Sequence, residues 1–230
     1  MPHSRPESYS RPEPSIPGNT KNCLRAAECA LLFAGLPVVL SFLHLSHALL
    51  IVLWVLTLLC LRMLQRDSTF QDSRLWNRKA VTWRNFSPLA ARFVVCAALL
   101  TLFVSVREPE HLFNFPLRNP PVWALVMVLY PILSVYPQEV LYRAFFFHRY
   151  RGLFRSNRAM IAASALAFGL MHVVFNNLIA VMFAGIGGAM FARTYARCQS
   201  LLLATLEHAL YGCFVFTIGL GHYFYTGAVR

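Results

Sequence analysis

Five ionisable side chains lie within apolar stretches of this 230-residue chain, where charged groups are costly and usually functional. They are Glu139, Arg143, His172, Glu207 and His208. Carboxylates and imidazoles can activate a water molecule for attack on a carbonyl group. Because the five side chains belong to three separate apolar segments, we expect those segments to converge on one polar site.

Helical spacing groups some of these residues, since side chains four positions apart share one face of a helix. Glu139 can therefore pair with Arg143, and Phe168, His172 and Asn176 form one stripe. The pair alone is compatible with a buried ion pair that has no catalytic role. The conjunction of Glu139, Arg143, His172 and His208 in one hydrophobic chain favours a functional site.

Adjacent residues on a helix point in directions about 100° apart. Only one of Glu207 and His208 can therefore face the site directly, and the other must face a neighbouring helix or a water. Two further histidines, His44 and His47, lie near the end of an apolar segment, and we interpret them as bonded to helix carbonyls.

The composition places this site in a membrane. Hydrophobic residues make up 57% of the chain and charged residues 13%, and the mean hydropathy is +0.52. Soluble domains carry about 25% charged residues, and such a composition excludes disorder, a disulfide-rich secreted module and a coiled coil. We predict an all-α, polytopic membrane helix bundle of about seven transmembrane helices. The apolar runs cover residues 26–43, 48–64, 89–106, 122–147, 159–175, 178–192 and 200–219.

The basic residues predict the orientation of this bundle. Eighteen of the 21 Lys and Arg residues fall on the side that holds the N-terminus, so the positive-inside rule predicts a cytoplasmic N-terminus and an external C-terminus. The net charge of +12 thus reflects topology, and we expect the lipid bilayer as a partner and no nucleic acid. Residues 1–22 are predicted to be a flexible cytoplasmic tail, and residues 23–230 a single transmembrane domain.

Three short motifs resemble those of one protein family. Residues 137–143, PQEVLYR, resemble the first motif, E-E-x-x-x-R, of the CPBP family of intramembrane proteases, which includes the CAAX prenyl endopeptidases and the bacterial Abi proteins. Residues 168–172, FGLMH, resemble the second motif, F-x-x-x-H, and His208 begins the third, H-x-x-x-N. The motifs follow the family order within a CPBP-like core at about residues 122–219.

The resemblance implies an intramembrane endopeptidase that hydrolyses a peptide bond of a membrane-associated protein or peptide near the cytoplasmic membrane face. Glutamate and histidine side chains would activate the water in such an enzyme. We expect an integral protein of the bacterial inner membrane. Recognition of a prenyl group and the oligomeric state are both left open.

Two residues depart from the family pattern. Gln138 stands where the first glutamate is expected, and Gly212 where the asparagine of the third motif is expected. Three hypotheses follow. Glu139 is the working base while Arg143 turns elsewhere, Glu207 supplies the missing carboxylate, or the chain is catalytically inactive. We favour the first, because the Gln138 amide can still orient a water molecule.

In the favoured mechanism Glu139, assisted by His172, deprotonates a water, and His208 donates to the oxyanion. Asn176 would replace the missing asparagine donor. No cofactor is expected. The alternative is a zinc ion held by Glu139, His172 and His208, which we rank second because the sequence has no H-E-x-x-H motif.

Other classes of protein also account for part of the pattern. A catalytically inactive CPBP-like membrane scaffold or immunity protein would have the same helices without needing the polar residues. A transporter would also need carboxylates and histidines in the membrane, but it commonly has an internal repeat, and the sequence contains none.

Overall fold

The computed structural model describes residues 19–43 and 48–224, and over these residues it contains helices and turns without strands. His44 and His47 lie outside the described residues, as do residues 1–18 of the predicted tail. The first helix begins at Asn19, so the last four residues of the predicted tail, 19–22, are helical.

Seven helices match the seven predicted transmembrane segments. Most helix ends lie within a few residues of the predicted ends. Six are long and apolar enough to cross a bilayer, and the seventh has 17 residues, which gives about 26 Å. The prediction of an all-α bundle of about seven membrane helices is confirmed. The helices are α1 (Thr20–Phe42), α2 (Leu49–Arg66), α3 (Trp83–Arg107), α4 (Pro120–Arg149), α5 (Asn157–Phe175), α6 (Leu178–Cys198) and α7 (Leu201–Thr217).

The connections between helices form two sets of contacts at opposite ends of α6. At its C-terminal end, Ser200 Oγ donates to Asn77 O at 3.1 Å, which joins the α6–α7 turn to the α2–α3 connection. At its N-terminal end, Asn177 Nδ2 donates to Tyr223 O at 2.7 Å, which joins the α5–α6 turn to the segment after α7. These pairings are the ones that seven successive crossings require. A cytoplasmic N-terminus stays a prediction.

Helices α5 and α6 approach each other closely through glycine. A Cβ on Gly169 would lie 3.3 Å from Gly185 Cα, and one on Gly188 would lie 3.0 Å from the Phe168 ring. Small residues at a helix contact allow two backbones to come together in a membrane. This packing holds the Phe168 side chain, and with it the end of α5, against α6.

Helix α4 is irregular where it carries the first motif. Pro137 has no N–H, so a regular helix would leave Leu133 O without its partner, and Trp54 Nε1 of α2 donates to that oxygen at 2.9 Å. A π-helical turn, Val140–Phe145, follows Glu139 directly, and all six of its residues are buried. Single π-helical turns are frequent at functional sites, where they reposition side chains.

A candidate active site

Glu139 of α4 is fully buried and lies at the centre of a polar cluster. Its Oε1 atom is 2.9 Å from Nδ1 of His208 on α7, and its Oε2 atom is 3.3 Å from Nε of Arg143. The Arg143 contact lacks hydrogen-bond alignment, so within the described part of the chain Oε2 has no hydrogen-bond partner. Buried polar atoms left unpaired are uncommon, and a catalytic role is one explanation for them.

Arg143 is fully buried and faces Glu139 rather than turning away from it. Its guanidinium carbon lies 4.9 Å from the ring centroid of Phe168 and 5.8 Å from that of Phe191, and its Nη1 donates to Ser164 Oγ at 3.4 Å. A buried cation needs a counter-charge and is further stabilised by aromatic faces. The hypothesis that Arg143 turns elsewhere is therefore wrong.

His172 of α5 contributes a second imidazole next to His208. The Phe168 ring contacts both, with centroid distances of 4.9 Å to His172 and 5.3 Å to His208. Nδ1 of His172 lies 2.8 Å from Phe168 O. A carbonyl oxygen can only accept a hydrogen bond, and so can the Glu139 carboxylate that faces His208. We therefore assign the ring hydrogen to Nδ1 in both histidines. The assignment leaves Nε2 of each histidine as a potential base.

The two histidines line one cavity of about 230 Å³. Its other walls are mostly aromatic and aliphatic side chains, among them Phe168, Phe183 and Phe191. Glu139 is not part of the wall and is linked to the cavity through His208. An apolar cavity with two basic nitrogens can hold an apolar polypeptide segment and activate a small number of water molecules.

Tyr130 occupies the space that an asparagine at position 212 would need. A Cβ on Gly212 would overlap the Tyr130 ring, with Cζ only 2.7 Å away. The Tyr130 hydroxyl lies 3.5 Å from Nε2 of His208, so it can supply the donor that the third motif lacks. The sequence analysis missed Tyr130, which is 78 residues from His208. The one sequence signal for Tyr130 is Gly212, because a glycine has no side chain and leaves space for the Tyr130 ring.

Gln138 bonds within its own helix. Its Nε2 atom donates to Ser134 Oγ at 2.8 Å, and its buried Oε1 atom has no hydrogen-bond partner among residues 19–43 and 48–224. The structure thus gives the residue that replaces the first family glutamate a free acceptor. Its predicted role in orienting a water stays a prediction.

Glu207 belongs to a different polar group. Thr194 Oγ1 of α6 donates to it at 2.5 Å, and Arg92 of α3 donates to its other oxygen. It therefore points towards α3 and α6, while its neighbour His208 points to Glu139, as their angular separation requires. These bonds contradict the hypothesis that Glu207 supplies the missing carboxylate. Arg92 was not among the residues predicted for the site, and its pairing with Glu207 depends on how α3 and α7 pack.

Asn176 does not join the cavity. The regular part of α5 ends at Met171, a 3₁₀ turn follows over His172–Phe175, and Asn176 adopts a left-handed conformation with φ 54°. Its side chain is exposed, and its Oδ1 accepts from Ser41 Oγ at 3.4 Å. The predicted stripe is broken at its last member, because a regular α-helical spacing is lost before position 176.

The residues of this site do not fit the alternative zinc ion. Oε1 of Glu139 is occupied by His208 Nδ1, and the ligand atoms of Glu139, His172 and His208 do not all lie within 4.8 Å of one another. Zinc bonds to nitrogen and oxygen are about 2.0–2.2 Å long and require closer convergence. We therefore derive no catalytic step through a metal at this site.

The comparisons with known proteins identify one family. The family model of type II CAAX prenyl endopeptidase Rce1-like proteins matches residues 120–214, which include all of α4, α5 and α6 and most of α7. The match confirms the resemblance to the CPBP intramembrane proteases over this segment and supports a protease. No curated protein and no solved structure matches the chain.

Proposed function

We propose that this chain, similar over residues 120–214 to type II CAAX prenyl endopeptidases, is an intramembrane endopeptidase in which His208 and Glu139 activate the attacking water. The observation that carries the proposal is the buried 2.9 Å contact between His208 Nδ1 and Glu139 Oε1, behind a cavity wall that includes the His208 ring. A carboxylate that fixes an imidazole in this way leaves the opposite nitrogen free to accept a proton.

In this mechanism His208 Nε2 removes a proton from water as the water oxygen bonds to the substrate carbonyl carbon. Glu139 stabilises the imidazolium that forms, and it does not contact the water itself. When the carbon–nitrogen bond breaks, His208 returns the proton to the leaving amine. The base is thus His208 rather than Glu139, the base of the sequence-based hypothesis, because Glu139 is turned towards His208 rather than the cavity. The oxyanion donor changes as well, from His208 to Tyr130.

Tyr130 and His172 complete the proposed site. The Tyr130 hydroxyl, 3.5 Å from His208 Nε2, donates to the oxyanion of the tetrahedral intermediate. His172 lines the same cavity, and its Nε2 accepts the second hydrogen of the water and so fixes its orientation. Arg143 compensates the buried charge of Glu139 and is a positioning residue.

The substrate is a membrane-associated protein or peptide with apolar residues near the scissile bond, because the cavity walls are predominantly apolar. A bacterial inner membrane is the proposed location. The cavity is compatible with both an unmodified apolar segment and a lipid-modified one, so the experiment must include both.

The test uses purified full-length chain in proteoliposomes with quenched fluorescent peptides. One peptide set ends in a prenylated cysteine motif, and the other has unmodified apolar C-terminal segments. We expect the wild-type chain to cleave at least one set and His208→Ala to cleave neither. Equal cleavage by both proteins would contradict the proposal.

An inactive scaffold or immunity protein is the second candidate, and Gln138 and Gly212 are the observations that favour it. An inactive chain would cleave neither peptide set as wild type. Its function in cells would still require the chain to be present. A His208→Ala chain would restore that function fully.

A further inference from the structure

A second group of histidine and carboxylate side chains lies outside the proposed active site, at the end of the bundle where α3 and α7 terminate. Glu108 follows α3, His111 lies in the next turn, and His222 lies in the turn after α7. Their ligand-type atoms all lie within 4.8 Å of one another. These three atoms come from two segments that are about 110 residues apart in the sequence. Their proximity therefore needs an explanation.

The distances in this group match those around a tetrahedral metal ion. Oε2 of Glu108 is 3.2 Å from Nδ1 of His111 and 3.5 Å from Nε2 of His222. A zinc ion with bonds of about 2.0 Å holds neighbouring ligand atoms about 3.3 Å apart. These two distances are therefore those of ligands on one ion, and the two histidine atoms lie within 4.8 Å of each other. Without an ion, the 3.2 Å contact is a direct hydrogen bond between His111 Nδ1 and Glu108 Oε2.

Two further hydrogen bonds orient the ligands. Nδ1 of His222 lies 2.8 Å from Gly219 O, and the Tyr223 hydroxyl donates to Oε1 of Glu108, the oxygen that faces away from the histidines. Metal-binding histidines and carboxylates characteristically have such partners on their non-ligating atoms. With its hydrogen on Nδ1, His222 directs the lone pair of Nε2 towards a carboxylate oxygen. Only a cation or a proton between the two atoms makes that arrangement favourable.

Close backbone packing holds the two segments together. Gly219 has φ +100°, and a Cβ there would overlap the carbonyl of His111. Only glycine readily adopts this conformation and leaves room for the approach. The backbone thus brings His111 and His222 to the same place independently of their side chains.

We propose that Glu108, His111 and His222 bind one divalent cation of the zinc class, with water as the remaining ligand. Water has access, because 38% of the His111 side chain and 30% of the His222 side chain is exposed. The ion clamps the segment after α7 onto the α3–α4 connection. That segment includes Phe224, which lines the cavity and contacts the His172 ring at 5.9 Å between centroids. The clamp therefore fixes one wall of the cavity.

The test measures zinc in the purified full-length chain, produced with an affinity tag that contains no histidine and exchanged into detergent buffer with zinc chloride as the only metal. We expect about one equivalent of bound zinc by elemental analysis in the wild type. His111→Ala and His222→Ala should bind none above background. His148→Ala is the matched control, because His148 is also paired with a carboxylate, Asp67 at 2.8 Å, but no third ligand joins the pair among the described residues.

Thermal unfolding separates metal binding from loss of fold. Zinc should raise the melting temperature of the wild type and of His148→Ala, since a ligand that binds only the folded state stabilises it. It should leave that of His222→Ala unchanged, while circular dichroism shows His222→Ala to be helical. Wild-type protein without bound zinc overturns the proposal. The proposal is also overturned if zinc stays bound to His222→Ala but is lost from His172→Ala. That result would place the metal site in the cavity.

Discussion

His208 and Glu139 are 69 residues apart in the sequence, and a 2.9 Å contact between Nδ1 and Oε1 joins them inside the bundle. The contact links α7 to α4 and determines which nitrogen of His208 reaches the cavity. Since Glu139 is buried behind the imidazole, we propose that the two residues act as a unit. This relationship is the basis for assigning the proton transfer to His208.

Breaking the buried ion pair should destabilise the fold. Arg143→Met leaves the carboxylate of Glu139 without its cation, and loss of one partner from a buried pair costs about 3–5 kcal/mol. We expect a clear fall in the melting temperature in detergent. Arg149→Met is the control. Arg149 donates two hydrogen bonds to Glu28, at 3.1 and 2.8 Å, but both side chains are about one-third exposed, so its loss should cost less than that of Arg143. Equal stability of the two variants would contradict the assigned role of Arg143.

The proposed oxyanion donor is tested by Tyr130→Phe, which removes the hydroxyl and keeps the ring. Loss of one such donor lowers kcat about 100-fold or more, and we expect an effect of that order with little change in KM. Tyr136→Phe on the same helix is the control, since the Tyr136 ring stacks on Trp76 outside the cavity. An unchanged kcat in Tyr130→Phe would remove Tyr130 from the mechanism.

The proposed oxyanion donor can also be tested through Gly212 of α7, which packs against Tyr130 of α4. Gly212→Ala introduces a Cβ that overlaps Tyr130, so it should displace the hydroxyl and lower activity. Its effect should not add to that of Tyr130→Phe, because both act on one group. Gly185→Ala is the control, since a Cβ there meets nothing within 4 Å. Full additivity of the two changes would indicate that Gly212 acts through something other than Tyr130.

Gln138→Glu restores the residue that the family pattern expects. If the wild type is active, as proposed, the change should leave cleavage similar or shift its pH optimum, because a second carboxylate next to Glu139 repels it. The peptide cleavage assay measures both. An inactive wild type that gains activity through this change would identify Gln138 as the disabling residue and favour the scaffold hypothesis.

The orientation predicted from the Lys and Arg distribution is tested with reporter fusions. A reporter at the N-terminus should be cytoplasmic and one at the C-terminus external, as seven crossings require. Protease protection in spheroplasts and a phosphatase fusion give independent measurements. Both ends on the same side would mean that one helix, for which the 17-residue α7 is the first candidate, does not cross.

The helices could be predicted from the sequence, because long apolar runs are distinctive in a membrane protein. The pairing of Glu139 with Arg143 was allowed by their four-residue spacing, but the favoured hypothesis turned Arg143 away, and only the packed structure shows the contact. Asn176 was misplaced because α5 tightens into a 3₁₀ turn at His172, which periodicity does not reveal. The contact of Tyr130 with His208 depends on how α4 and α7 pack, and its one signal in the sequence is Gly212.

Kinetics of the Glu139–His208 unit test the central claim most directly. The measurement is kcat/KM for peptide cleavage by wild type, Glu139→Gln, His208→Ala and the double variant, with Glu207→Gln as the control for a buried glutamate outside the site. We predict that each single change lowers kcat/KM by about 100-fold or more, and that the double variant is no worse than His208→Ala, since the residues act together. Glu207→Gln, if it folds, should have a small effect. Near-wild-type activity of Glu139→Gln would contradict the account. So would a loss of kcat/KM in Glu207→Gln as large as the loss in Glu139→Gln.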